Sequence, residues 1–148
     1  THTAGNSIFG VIGAYRGCKS SGDPFTDAQA QANAGTTTTI TAPTITPLNG
    51  DFVIFAAACG EGGTNNGGVQ ALSGWSGTNP TFTERADVPD SGLNSLLIDG
   101  GFATGPSTGG ATGSRTVTLA ATAQATANSV GALLALTQDA GGGGGPGG

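Results

Sequence analysis

The sequence predicts an all-β fold, a two-sheet antiparallel β-sandwich of the jelly-roll kind built from about eight or nine short strands. Three observations predict it. Turn formers are abundant, with 29 Gly and 7 Pro in 148 residues, and a chain so rich in them cannot sustain long helices. Short β-branched or small apolar runs recur roughly every ten to fifteen residues, the spacing of strands stacked into a sandwich. Charged residues make up only 9%, which removes both a salt-bridged helical surface and the strongly charged type of disorder. A small closed barrel is the second architecture this pattern allows. No internal repeat is evident, which disfavours a solenoid or propeller.

Taken in order, Thr1 to Asn6 reads as an irregular lead and Ser7 to Tyr15 as the first strand. Gly10 and Gly13 weaken a strand unless something packs close to it, so an interior position is expected. Arg16 to Pro24 is a turn-rich loop. From Thr26 to Ala34, alanines at 28, 30, 32 and 34 alternate with polar residues, the period of an edge strand or irregular extension. Thr36 to Thr46 is Thr-rich and interrupted by Pro43, which lacks a ladder donor and so belongs on an edge, with Ile40, Ala42 and Ile45 pointing inward. Pro47 to Gly50 supplies a tight turn that makes this strand an antiparallel neighbour of the next.

Asp51 to Cys59 is the most apolar run in the chain and the expected central strand, buried on both faces. Gly60 to Gly68 is a long rim loop carrying Glu61, Asn65 and Asn66. Val69 to Leu72 forms a short strand, followed by a Ser/Gly-rich loop with Trp75. Further strands are expected at Phe82 to Val88 and at Asn94 to Ala103, the latter with a bulge at Gly100-Gly101. Gly105 to Ser114 is turn material. Arg115 to Ala121 points Val117, Leu119 and Ala121 inward, and Ser129 to Thr137 closes the core through Val130, Ala132, Leu133, Leu134 and Leu136. Residues 1–140 thus form the sandwich. Residues 141–148 form a Gly-rich tail or linker, either a flexible tether or an extended strand ordered by neighbouring copies.

Composition excludes several functions. A formal charge of −5 with four basic residues gives no surface that tracks phosphates, so nucleic acid is not an expected partner. No apolar stretch is long enough to insert into a membrane as a helix, and no basic-then-apolar leader is present. The single histidine is His2, in the irregular lead, so neither a Ser-His-Asp arrangement nor a closed zinc site can be assembled around it. No catalytic residue, metal or cofactor is therefore expected. Asp87, Asp90 and Asp99 come nearest to an acidic cluster. Paired acids can serve glycoside hydrolysis or calcium binding, but turn aspartates more often cap local backbone.

The candidate binding residues are Trp75, Glu61, Asn65 and Asn66. Loops at a rim carry binding more often than the scaffold does, and an aromatic ring there can stack on a sugar or bury into a neighbouring subunit. A core tryptophan is the alternative. Arg16, beside Tyr15, suits a clamp on a carboxylate such as Asp23, Glu84 or Asp87. If the first and central strands run the same way on facing sheets, Cys18 and Cys59 reach one end of the sandwich. A disulfide closing that loop of about forty residues would contribute about 3 to 4 kcal/mol. Two separate small core residues are the other reading.

Ala14-Tyr15-Arg16-Gly17 with Asp23-Pro24-Phe25, Ile40-Thr41-Ala42-Pro43, Gly50 to Ile54, Phe82-Thr83-Glu84-Arg85, Gly110 to Thr116 and Ala132 to Leu136 carry a resemblance. Together they resemble a β-sandwich module of bacteriophage virion and tail proteins and of large secreted bacterial proteins, over about residues 7 to 137. Cys18 departs from the pattern, which has an ordinary apolar residue there. The resemblance implies a non-catalytic module of a virion or cell-surface assembly and carries over no catalytic residue. The expected function is a structural subunit of a phage virion (tail, fibre or head decoration), held by contacts with copies of itself and with other virion or surface proteins. Its expected location is the virion or an extracellular surface. A receptor- or carbohydrate-binding module facing a host glycan is the alternative, and a hydrolase the third.

Overall fold

The structure, a computed structural model, describes residues 12–33, 38–60, 72–88, 98–119 and 129–139. Eight strands run through these residues, with no helix among them: β1 Phe25–Asn33, β2 Thr39–Ala42, β3 Asn49–Gly60, β4 Leu72–Ser73, β5 Thr83–Val88, β6 Ile98–Thr108, β7 Arg115–Leu119 and β8 Ser129–Leu136. They form a five-stranded sheet in the order β1-β8-β3-β6-β5 and a three-stranded sheet in the order β2-β7-β4. All pairings are antiparallel. The fold is the two-sheet sandwich that the sequence predicts.

The pairing is nested. β1 pairs with β8, β2 with β7 and β3 with β6, the order a long two-stranded ribbon gives when it wraps over itself into two layers. Only the innermost pair departs: β4 pairs with β7, while β5 joins β6 in the larger sheet.

β3 lies at the middle of the larger sheet, and its period-2 alternation decides which side chains reach the core. Val53, Phe55, Ala57 and Cys59 face the smaller sheet and meet Ile40, Leu72, Val117 and Leu119 there, with Leu133 and Ala135 of β8 alongside. Phe55 is fully buried, with Phe82 edge-on at 5.6 Å between ring centroids. The opposite face of β3 is only half-buried at Phe52, Ile54, Ala56 and Ala58, which corrects the expectation of burial on both sides. One sheet can cover only one face.

Where the sheets come closest, glycine is required. A Cβ on Gly131 of β8 would lie 2.5 Å from the Thr41 carbonyl oxygen, so backbone from the two sheets touches at this point. Gly101 plays the same part within the larger sheet, where a Cβ would lie 2.3 Å from the Ala86 carbonyl oxygen. The expected bulge at Gly100-Gly101 is absent, and the β3–β6 register runs unbroken through both glycines. The irregularity falls instead on β5, between Glu84 and Ala86.

Three further expectations are corrected. The Thr-rich strand is an edge strand with Ile40, Ala42 and Ile45 buried, yet it pairs with β7 and not with β3. Residues 43–48 cross from one sheet to the other, and the turn is held by buried Asp51, whose Oδ2 accepts the Leu48 N–H at 2.8 Å. Over residues 12–15 the predicted first strand is irregular, with Ile12 97% exposed, while Ser7 to Val11 lie outside the described residues. On β8, Leu133 and Leu136 are buried as expected, but Val130 is 43% exposed and Ala132 and Leu134 are half-buried on the outer face. Ala121, Asn94 to Leu97 and the Gly-rich tail lie outside the described residues.

Candidate functional site

The outer face of the larger sheet is the feature the sequence reading missed. Facing away from the smaller sheet stand Ile54, Ala56 and Ala58 of β3, Phe102 of β6, and Val130, Ala132 and Leu134 of β8. β3 and β8 are apolar at both parities of the strand period, so the sequence reads them as covered on both sides and does not show that one face stands open. Alanines here leave a depression between the larger side chains. The result is a shallow open groove of about 470 Å³, walled at one end by Gly13 and Tyr15 and floored by Ala56, Ala58 and Phe102. Tyr15 is fixed by Phe52, with ring centroids 5.3 Å apart. Burial raises the Tyr15 phenol above its ordinary pKa, opposed by the nearby Arg85 charge and reinforced more weakly by Cys18. Among the described residues that line the groove, the Tyr15 phenol is the one ionisable group.

Trp75 lies elsewhere, where β4 leads into the loop before β5. It is half-buried, edge-on to Phe55 at 5.0 Å, and its Nε1–H donates to Glu84 Oε2 at 2.7 Å. The ring is therefore tied to the core through one edge and to β5 through its nitrogen. Around it the loop is held tightly. Arg115 Nη2 donates to the Asn79 carbonyl at 2.9 Å, Asn79 Nδ2 donates to the Gly109 carbonyl at 2.8 Å, and the Thr108 N–H donates to Asn79 Oδ1 at 2.9 Å. The Asn79-Pro80 peptide is cis, and at Gly77 the Pro80 carbonyl oxygen would lie 2.6 Å from any Cβ. Burial lowers the Arg115 pKa from its ordinary value.

Of the expected partners of Trp75 at the rim, Glu61, Asn65 and Asn66 lie outside the described residues. Asp87 does not join an acidic centre there. Its Oδ2 accepts the Leu72 N–H at 3.1 Å, tying β5 to β4, while its Oδ1 is buried with no hydrogen-bond partner. Burial raises the Asp87 pKa, the Leu72 N–H lowers it, and the Glu84 charge raises it. Asp90 and the Asp99 side chain lie outside the described residues. Arg85 donates from Nε to Thr104 Oγ1 at 2.9 Å. Among the described residues no three His, Cys, Asp or Glu side chains come together as a metal site.

The disulfide between Cys18 and Cys59 is not formed. Cys18 bridges to Gln138, beyond one end of β8, while Cys59 stands opposite Ser129 at the other. At ~3.4 Å per residue the two sites lie roughly 30 Å apart, far beyond disulfide reach. The cause is the path of residues 12–19. They run beside the larger sheet, with Tyr15 on its outer face, and do not form a strand of the facing sheet.

Comparison with protein-family models, curated proteins and solved structures gives no match, so the functional argument rests on this chain's own geometry.

Proposed function

We propose that the protein is a structural subunit of a phage virion, in a tail, fibre or head decoration, and that it works by assembling with copies of itself and other virion proteins and not by catalysis. The observation that carries this reading is the nested β1·β8, β2·β7, β3·β6 sandwich combined with an outer sheet face whose groove, among the described residues, is lined by apolar side chains and Tyr15 and by no charged one. Nested sandwiches of this kind serve as shells and lectins, and the fold-level analogy supports a surface-forming role without assigning one. An apolar face on a β-sheet is a liability for a solitary soluble domain and an asset for a subunit. The polar side chains add to the support. Asp27, Asp51 and Asp87 accept hydrogen bonds from the chain's own backbone, and Arg115 donates to it. Negative-stain electron microscopy of the purified chain tests the reading: ordered rings, fibres or sheets are expected, and dispersed single particles at every concentration contradict it.

A second reading, a receptor- or carbohydrate-binding module, is favoured by one observation: Trp75 keeps part of its ring surface accessible while Phe55 and Glu84 fix its orientation. A preoriented aromatic ring suits stacking on a sugar. Glycan-array binding that disappears in Trp75→Phe while the fold persists would favour this reading over the first.

A further inference from the structure

The four sheet edges of the sandwich differ sharply in how they are defended. On β5 the edge carries Glu84, Arg85 and Asp87 and is broken by the irregularity between Glu84 and Ala86, two of the usual devices against edge pairing. At the edge of the smaller sheet, β4 is two residues long, too short to template a partner strand. β2 is four residues long, and both polar groups of Thr41 are already taken. Asn33 Nδ2 donates to its carbonyl at 2.9 Å, and its N–H donates to Asn33 Oδ1 at 3.2 Å.

β1 is the least defended: of these devices it has only a long bond in which the Gln31 carbonyl accepts from Asn33 Nδ2 at 3.4 Å, beside a Gln31 Nε2 that donates to Asn33 Oδ1 at 3.3 Å. It spans nine residues, and its pairing with β8 is unbroken from Asp27 to Asn33. From Ala28 to Ala32 every residue is exposed, and the run contains no charge and no proline. Asp27 lies at the end of this run, and its Oδ2 is engaged by the Thr46 N–H at 2.8 Å. An antiparallel strand uses only half of its backbone polar groups on one neighbour. The other half of this run faces outward with no strand beside it among the described residues.

We infer that β1 is an assembly edge, and that its occupant is β1 of a second copy of this chain, paired antiparallel about a two-fold axis at Ala30. This deepens the assembly reading proposed above and rests on it. The symmetry follows from the sequence of the run. Centred on Ala30, the pairing sets Ala28 against Ala32 of the second copy and Gln29 against Gln31 of the second copy, so no like charges meet. Alanines on one face let the two sheets join without steric obstruction, and glutamines on the other can hydrogen-bond across the join. The union turns two five-stranded sheets into one continuous ten-stranded sheet by the same strand addition that extended peptides use on exposed edges. Its outer apolar face then runs across both copies.

The test uses two double variants of the full chain that differ only at exposed positions. Q29K/Q31K places lysine against lysine twice across the axis and should weaken association about tenfold or more. Q29K/Q31E places lysine against glutamate and should restore it. Size-exclusion chromatography with light scattering reads the mass, circular dichroism checks the fold, and hydrogen exchange at Ala28 to Ala32 should slow with increasing concentration only in the unmodified chain and in Q29K/Q31E. If the unmodified chain associates and Q29K/Q31K associates as tightly, with β1 amides insensitive to concentration, the β1 edge is wrong and the assembly reading stands. An unmodified chain that keeps the mass of one copy, 14.1 kDa, at every concentration overturns the pairing itself. That outcome contradicts the self-assembly in the reading above as well, whereas failure at the β1 edge alone leaves it standing.

Discussion

Asn33 and Thr41 hold the two sheets together at one edge by a double hydrogen bond. The Asn33 side-chain amide donates to the Thr41 carbonyl and accepts the Thr41 N–H, as a neighbouring strand would. One side chain on β1 thus closes the exposed edge of β2. Asn33→Ala removes both bonds and should lower stability by about 1 to 2 kcal/mol. Asn33→Asp keeps the acceptor and loses the donor, so it should fall between the two. Urea midpoints at unchanged slope give the comparison, and equal midpoints for all three proteins would show that the edge is closed by something else.

The same Thr41 meets Gly131 from the other side. Gly131→Ala drives a methyl group into backbone that has no rotamer to yield, and should cost about 3 kcal/mol. Gly110 is the control. Its φ of 81° strains any other residue, but nothing lies near its missing side chain, so Gly110→Ala should cost only about 1 kcal/mol. Thermal unfolding of the two variants should separate clearly, and a reversed order would contradict the close approach of the sheets.

Trp75 is the only tryptophan, which makes its emission a direct probe of the loop before β5. Trp75→Ala loses the edge contact with Phe55 and should cost about 3 kcal/mol. Trp75→Phe keeps an aromatic ring and loses the bond to Glu84, for about 1 kcal/mol. Glu84→Gln should leave the Trp75 emission maximum almost unchanged if Phe55 fixes the ring, and shift it if the carboxylate does.

The Asp87 carboxyl has a folded pKa above its ordinary value, chiefly because burial disfavours the charged form. The folded state therefore holds this proton to higher pH than the unfolded chain does. Its contribution to stability is fully present below the ordinary carboxylate pKa and is lost as pH rises through the raised one. Asp87→Asn keeps an acceptor for the Leu72 N–H and cannot ionise, so stability should fall less with rising pH across the acidic range. An identical pH slope in the variant would contradict the assignment.

Much of this architecture is legible in the sequence where the signal is local. Alternating alanines over 26–34 mark an edge strand, and Ile40, Ala42 and Ile45 mark an inward face, because strand period and proline placement are properties of the segment itself. The partner of the Thr-rich strand is not legible. Pro47 to Gly50 has hairpin chemistry, and nothing local distinguishes a return into the same sheet from the crossing that buried Ile45 and Asp51 secure. The glycine pair in β6 reads as a bulge for a similar reason, since the atom that excludes a Cβ at Gly101 belongs to Ala86 on another strand. Trp75 shows the same limit at the candidate site. Its residue type suggests a surface anchor, while its contacts with Phe55 and Glu84 depend on how β3 and β5 converge.

Sedimentation equilibrium of the unmodified chain over a wide concentration range tests the central claim most directly, that this sandwich is made to join with its own kind. The account predicts an average mass rising from 14.1 kDa toward a whole-number multiple of it. A mass fixed at 14.1 kDa throughout would contradict it.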